Sequence, residues 1–444
     1  MKYKVLIPLV LCGFVLISWG SLLSGMSEKT GSYRQLLRKG DECYEKELYQ
    51  QAWENYEEAF NITQTREIED KILDSYQAFY EEQKTDETYA AYLDALGQAC
   101  IRFPEEILYW ERAIQENINS QNYETAMELC TAAEEAGSKS EKLEELRFQV
   151  FNSYELGGYG CSAYENAVNG YFTIQTGNRY ARLSSDGLDY ESLDLAETGG
   201  IGDDGIYLCR DMENRTQFMD QNGIIQGKVK IEVNDFGIYS EGYCSAKFQD
   251  AYCFIDMDGN ILIDGLQYAG CFQNGKAVIQ DREGRWALID QEGKICSDYF
   301  QDIKTDYAGR YLFGEHVIAR KDEKYNLYDD SLKKEVKKLE ASDMDIPVRE
   351  GLAAYCENGK WGFINEEGEV VIKPQYEGAK SFSGGVAGVC ENGKWGFINE
   401  NNQLIVDCQF YDVGYASDAG VCYVSDTVDY YEILKFNFPE EITG

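Results

Sequence analysis

From about position 180 onward, apolar runs of three or four residues recur at a nearly constant interval, each opened by an aromatic or small residue and closed by an acid or amide and a turn. Trp361-Gly362-Phe363-Ile364-Asn365 returns as Trp395-Gly396-Phe397-Ile398-Asn399, and degenerate copies begin near Tyr180, Thr216, Tyr252, Trp286 and Tyr325, with a last one near Tyr430. Asp186-Gly187, Asn222-Gly223, Asp258-Gly259, Glu292-Gly293 and Glu367-Gly368 follow the copies, which predicts strands joined by tight turns. In the fullest unit, Gly351 to Cys356 reads as one strand, Asn358-Gly359 as a hairpin, Lys360 to Asn365 as a second strand and Val370 to Ile372 as a third. Pro374 then ends ladder donation, and Tyr376 to Phe382 leads onward as a short fourth strand. Asn274-Gly275 and Asn392-Gly393 mark the hairpin ahead of the motif in their own units. A spacing of roughly 34 to 39 residues is that of a propeller or solenoid. An open stack leaves strand edges unpaired. The predicted architecture over residues 159–437 is therefore an antiparallel all-β repeat array of about 7–8 units closed into a propeller-like ring, with an open twisted β-repeat array as the alternative.

Ahead of this array the period changes. Residues 31–158 are rich in Glu, Gln, Ala, Leu and Lys, with apolar positions at helical spacing. Leu36, Gly40, Tyr44, Ala52, Tyr56 and Ala59 outline one helix pair. Tyr76, Tyr92, Leu96, Ala99 and Pro104 outline a second, behind a longer link at Gln83-Lys84-Thr85. Trp110, Ala113, Tyr123, Ala126 and Ala133 outline a third, and Gly137-Ser138 breaks the chain before a last helix from Glu141 to Leu156. Small residues let paired helices approach while aromatics fill the groove between them, so Ala52, Tyr56, Ala59, Trp110, Ala126 and Ala133 are read as packing positions.

The helical stretch resembles a short tetratricopeptide array, which implies a concave helical surface able to grip a protein partner. The first unit lacks the usual terminal Pro. The β stretch is similar to the WG-repeat family, whose signature is Gly-Lys-Trp-Gly-Phe-Ile-Asp, a turn, and Val-Ile-x-Pro-x-Tyr. Gly359 to Tyr376 matches it nearly throughout, with Asn365 for the acid. Gly393 to Asn399 matches as well, but Cys408-Gln409-Phe410-Tyr411 lacks the Pro. Trp286 stands without the following Gly and Phe. The resemblance implies a repetitive β architecture and brings no chemistry with it. The signature residues Trp286, Trp361, Gly362, Phe363, Trp395, Gly396 and Phe397 are read as core, with a row of indoles stacking on sugar rings or bases as the alternative.

Lys2 and Lys4 precede an apolar run from Val5 to Leu23, roughly 19 residues and long enough to cross a bilayer as a helix. Residues 1–30 are therefore expected to be an uncleaved membrane anchor with the bulk of the chain extracytoplasmic, the alternative being secretion after signal cleavage. Composition narrows the remaining chemistry. The formal charge of −38 follows from 79 acidic against 41 basic residues, and phosphate neutralisation needs the reverse, so nucleic acid is not an expected partner. The 14 cysteines include Cys356 and Cys390 at matching repeat positions, where packed thiols suit a strand better than a bridge. One histidine, His316, excludes most triads and histidine metal sites. Asp256-Met257-Asp258-Gly259-Asn260 lacks the spacing of a calcium loop and reads as a hairpin turn. No phosphate-cradling Gly-rich loop is present, and no catalytic residue, metal or small-molecule cofactor is expected. The sequence thus points to a membrane-anchored, non-enzymatic protein-binding or scaffold protein of a bacterial cell envelope, its helical array engaging a protein partner. The alternative is an envelope glycan-binding module or hydrolase working from the β array.

Overall fold

A computed structural model describes residues 25–347, 351–428 and 430–437. The expected membrane-crossing run of residues 5–23 lies outside them, and among the described residues no helix is long and apolar enough to cross a bilayer. Two compact units are present, Met1–Val150 and Phe151–Gly444.

The first unit is a string of helices joined by short links: α1 Gly25–Tyr44, α2 Tyr49–Ile62, α3 Arg66–Gln83, α4 Asp86–Arg102, α5 Ile107–Asn119, α6 Tyr123–Glu135 and α7 Glu141–Phe151. Helices α1 and α2 pack closely because Gly40 has no side chain: a Cβ there would stand 2.4 Å from the Tyr56 ring. Ala52, Tyr56, Ala59, Trp110, Ala126 and Ala133 are all buried. Aromatics tie one pair to the next, Trp53 stacking on Tyr76 at 4.2 Å and Phe103 meeting both Phe60 and Tyr109 edge-on. The long link resolves into a left-handed Lys84 that ends α3 and a Thr85 that caps α4 through the Thr88 amide. Helix α7 stops at Phe151, not Leu156, because Tyr154–Cys161 is a strand of the second unit.

Among the described residues the second unit holds eight antiparallel sheets, seven of them built from strands that follow one another in the chain. The first blade runs from Ala163–Val168 to Tyr190–Leu193, and the second from Leu195–Thr198 to Ile225–Lys228. The third spans Val233–Asn234 to Ile261–Leu266, the fourth Tyr268–Ala269 to Trp286–Asp290 and the fifth Asp302–Ile303 to Glu335–Ala341. The sixth spans Asp343–Asp345 to Val370–Tyr376 and the seventh Gly378–Ala379 to Leu404–Phe410. The eighth starts at Asp412–Val413 and takes its outer strand from the other end of the unit, Tyr154–Cys161 pairing with Tyr430–Phe436. The array is thus a closed eight-bladed propeller and not an open stack.

Packing explains the apolar runs. Eight hydrophobic clusters each straddle one seam between consecutive blades, including the seam from the eighth back to the first, where Val421, Tyr423 and Ile433 meet Phe172, Ile174 and Leu183. Middle strands are covered on both faces, so Val317-Ile318-Ala319 and Ala287-Leu288-Ile289 are buried without alternation. Every repeated motif occupies the third strand of a blade, as at Arg179–Ser184, Thr216–Asp220, Ala251–Ile255, Trp286–Asp290, Lys324–Asp329, Lys360–Ile364, Lys394–Asn399 and Tyr430–Phe436. Asn358-Gly359 and Asn392-Gly393 both adopt positive φ in the hairpin before it. Asn274-Gly275 does so elsewhere, between the short first strand and the second strand of the fourth blade, where Gln273 bridges Lys276.

Candidate functional site

The ring axis, the usual place for a ligand in such a fold, is crossed by the protein's own side chains. The segment from Asp306 to Arg310 of the fifth blade reaches across it. Tyr307 donates to the Ala167 carbonyl at 2.7 Å and its ring lies 5.2 Å from that of Tyr415, while Arg310 reaches Asp203 at 2.9 Å. Val168, Ile238 and Ala308, from the first, third and fifth blades, form one buried cluster. Tyr415 donates to Asp345 at 2.8 Å, whose other oxygen accepts from the Ser381 amide at 2.7 Å. The hollow left beside Asn169, Arg310 and Ser417 is about 40 Å³, room for little more than a water.

Asp306 closes this plug. One carboxyl oxygen accepts from the Ala308 and Arg310 amides at 2.8 Å, and the other is buried without a partner. Burial outweighs those amides and pushes its pKa up to about 6. A carboxyl raised in the folded state favours folding when protonated, so its contribution is full below the unfolded value near 4 and is lost as pH climbs to about 6. Asp306→Asn keeps the accepting oxygen and removes the charge. The stability of D306N relative to the parent is expected to rise by about 2 kcal/mol between pH 4 and pH 6.5 and then level off. Paired denaturant melts across that range measure it, and a flat difference contradicts the assignment.

In the helical unit, polar side chains stitch together the first helices of successive pairs. Lys71 of α3 donates to Asp41 of α1 at 2.7 Å, and Tyr56 donates to the same oxygen at 2.8 Å. Burial pushes Asp41 upward, but these donors outweigh it and hold its pKa below the ordinary value. Arg112 of α5 reaches Gln77 of α3 at 2.5 Å and the Tyr92 hydroxyl at 2.7 Å, and Tyr109 donates to Asp70 at 2.8 Å. Lys71 and Asp41 keep 33% and 46% of their side-chain surface, and Asp74 is exposed on the same row, so the seam stays open to a partner. Tyr56 and Tyr92 stand out in the sequence as packing positions, but Asp41, Asp70, Lys71, Gln77 and Arg112 do not, because helical periodicity marks only the apolar face and their bonds from one helix pair to the next span 30 to 39 positions.

The residues that do stand out are structural in placement. Trp286, Trp361 and Trp395 are half-buried; Gly362, Phe363, Gly396 and Phe397 are buried. Trp286 packs on Tyr268 and Trp395 lies beneath Lys380. The residue that closes each motif serves its turn: Asp220, Asp256, Asp290 and Asn399 each accept the amides two and four positions on. In Asp256 this uses the oxygens a calcium ion would need, the second accepting from Asn260 at 2.9 Å. The same acid-x-x-Gly pattern at Asp306 to Gly309 is the sequence signal for the axial plug. His316 opens a strand opposite Asp329. The described cysteines are all free thiols, and burial pushes those of Cys100, Cys161, Cys209 and Cys271 up to about 12, which leaves them protonated and inert.

No curated protein matches the chain. Solved structures similar to it include BamB from Moraxella catarrhalis, at 10% identity over 65% of this chain and 99% of that one, with a TM-score of 0.43. The Dos1 propeller is similar at 11% identity over 65% and 96%, TM-score 0.38. The Cps50 (Swd1) β-propeller domain of Myceliophteria thermophila is similar at 9% over 54% and 96%, TM-score 0.32. The family model of the WG containing repeat matches residues 252–286, 361–395 and 395–425. Each match starts in the third strand of one blade and runs into the next blade, so the sequence repeat is offset from the structural blade by half a sheet. Behind an N-terminal helical region, the chain carries WG containing repeats in its C-terminal region.

Proposed function

We propose that the protein is a non-enzymatic protein-binding scaffold of a bacterial cell envelope, anchored through residues 5–23, with both units on the extracytoplasmic side. The observation that carries the binding role is the half-open polar seam of Asp41, Lys71, Asp74 and Arg112 along α1, α3 and α5, which offers alternating charge to an extended partner segment. The propeller supports the same reading, because side chains cross its axis and its signature indoles are half-buried in packing, which favours recognition at its outer surfaces. The packed indoles also weigh against the rival glycan-binding role. Crosslinking the full chain in its native membrane is expected to trap one protein companion, and K71A/R112A is expected to reduce that product about fivefold or more with helical content retained. A detergent extract holding no stable companion, or a product insensitive to K71A/R112A, overturns the reading.

A further inference from the structure

One blade departs from the others where the motif begins. Within each sheet the first motif residue pairs across the second strand with a fixed position: Gln175 with Tyr180, Lys247 with Tyr252, Gln280 with Trp286, Arg320 with Tyr325, Cys356 with Trp361 and Cys390 with Trp395. In the eighth blade Tyr431 takes that place, with Cys161 opposite it on the outer strand. Seven blades thus hold an aromatic ring there. In the second blade the register gives Arg210 opposite Thr216, and the ring is missing.

What remains at that place is a groove of about 560 Å³ whose lining includes Arg210, Arg215, Thr216, Ile225, Lys228, Lys230 and a single acid, Glu232. The outer strand Ile225–Lys228 has 4 residues, where Val370–Tyr376 and Leu404–Phe410 have 7, so the rim is uncovered as well. In two sister blades a cation at the Arg210 position lies over the motif ring, Lys247 over Tyr252 at 5.8 Å and Arg320 over Tyr325 at 5.4 Å. Arg210 has a cation's position with no ring of its own blade beneath it; it lies instead over Phe236 of the third blade at 5.5 Å and donates to the Val233 carbonyl. Glu197 at 3.2 Å holds it in place. Arg215 is likewise held, by Asp211 at 2.7 Å and Glu213 at 2.8 Å. Lys228 and Lys230 are exposed and have no ion pair among the described residues, in a chain of formal charge −38.

We propose that this groove receives an aromatic side chain carried by an acidic, extended segment of a partner protein. The ring takes the place of the missing motif aromatic beside Arg210, and flanking carboxylates meet Lys228 and Lys230. Ile225, which opens the outer strand, and Ile224 just before it are 46% and 58% exposed and give the segment an apolar contact beside the groove. The site deepens the reading of the ring as a recognition surface and is separate from the helical seam, so its failure leaves the K71A/R112A result untouched.

The test is the full chain titrated with a fluorescein-labelled peptide of sequence Asp-Glu-Trp-Glu-Asp, with Ala replacing Trp in the control peptide. The Trp peptide is expected to bind about tenfold or more tighter than the Ala peptide. T216W supplies the ring from the chain itself and is expected to weaken the Trp peptide about tenfold or more while holding or raising the melting temperature. K228E/K230E, on an exposed rim, is expected to weaken it similarly without a change in melting. Equal binding of the two peptides, or parent-like affinity in T216W, overturns the proposal. Should T216W melt well below the parent, the peptide pair and K228E/K230E decide the matter alone.

Discussion

Gly362→Val is expected to unfold the propeller at temperatures where the parent is intact. A Cβ at Gly362 would stand 2.4 Å from the Ile372 carbonyl oxygen and 2.6 Å from the Pro374 nitrogen, both backbone atoms. Gly396 repeats the arrangement, 2.3 Å from the Val406 oxygen. The outer strand bulges here. Trp361 pairs with Tyr376 while Phe363 pairs with Ile372, so two motif steps face four outer ones, and the surplus backbone folds against the glycine. Because the fifth blade makes the same two-against-four step around Asn326, the clash comes from how closely this bulge folds onto Gly362 and not from the register alone. Relief would mean unpairing the outer strand, which exposes Ile372 and Tyr376 and opens the cluster around Phe363 and Phe382. Lost ladder bonds and a disrupted core together cost about 3–5 kcal/mol, a large part of the roughly 5–15 kcal/mol that holds a domain together. The fourth blade supplies the control. It has Ala287 at this place, and its outer strand is reduced to the bridges Trp286 with Phe300 and Ile289 with Ile295. A287G is therefore expected to cost about 1 kcal/mol or less. Denaturant melts of the two variants compare them directly, and a G362V midpoint within about 2 °C of the parent would falsify the steric account.

That glycine also shows which parts of the fold were legible beforehand. Strand, turn and period were readable because they depend on near neighbours: Asn358-Gly359 needs positive φ within one hairpin, and Trp361 to Asn365 needs a buried strand. The reason for Gly362 was not, since it lies in a bulge 10 residues on that only the register reveals. Closure into a ring was expected, but the strand that completes it was hidden for a similar reason. The last blade borrows Tyr154–Cys161, a stretch next to a strong helical pattern, and residues joined across almost the whole unit leave no periodic trace. The helix boundary moved to Phe151 on that account. The motif hairpin assigned to Asn274-Gly275 was displaced because the same dipeptide suits any two-residue turn. The basic groove is the opposite case. Thr216 was visible as a degenerate motif start, yet a missing ring becomes a cavity only when the sister blades show what normally fills the place.

Removing the borrowed strand is expected to be as severe as crowding the bulge. A chain beginning at Ser162 lacks the outer strand of the eighth blade, while a chain beginning at Phe151 retains it, and both lack the helical unit equally. Tyr154–Cys161 makes the ladder from Tyr154 with Phe436 to Cys161 with Tyr431, and it is fastened further by Tyr423 donating to the Tyr159 carbonyl at 3.1 Å. The Asn437 amide and side chain add bonds to Ser153 at 2.9 and 3.1 Å. Without these, Tyr430–Phe436 becomes a bare edge, and Ile433 and Leu434, now 6% and 0% exposed, lose part of their cover. At about 1 kcal/mol for each net ladder bond, with apolar exposure added, the loss is of the order of 5 kcal/mol or more. The chain from Phe151 is expected to melt cooperatively and elute as a single species. The chain from Ser162 is expected to aggregate or to melt at least about 10 °C lower. Adding a synthetic Tyr154–Cys161 peptide in excess should restore part of the difference, because it would fill an edge already shaped to receive it. Equal melting of the two chains would mean that the seam between the eighth and first blades holds the ring without that strand.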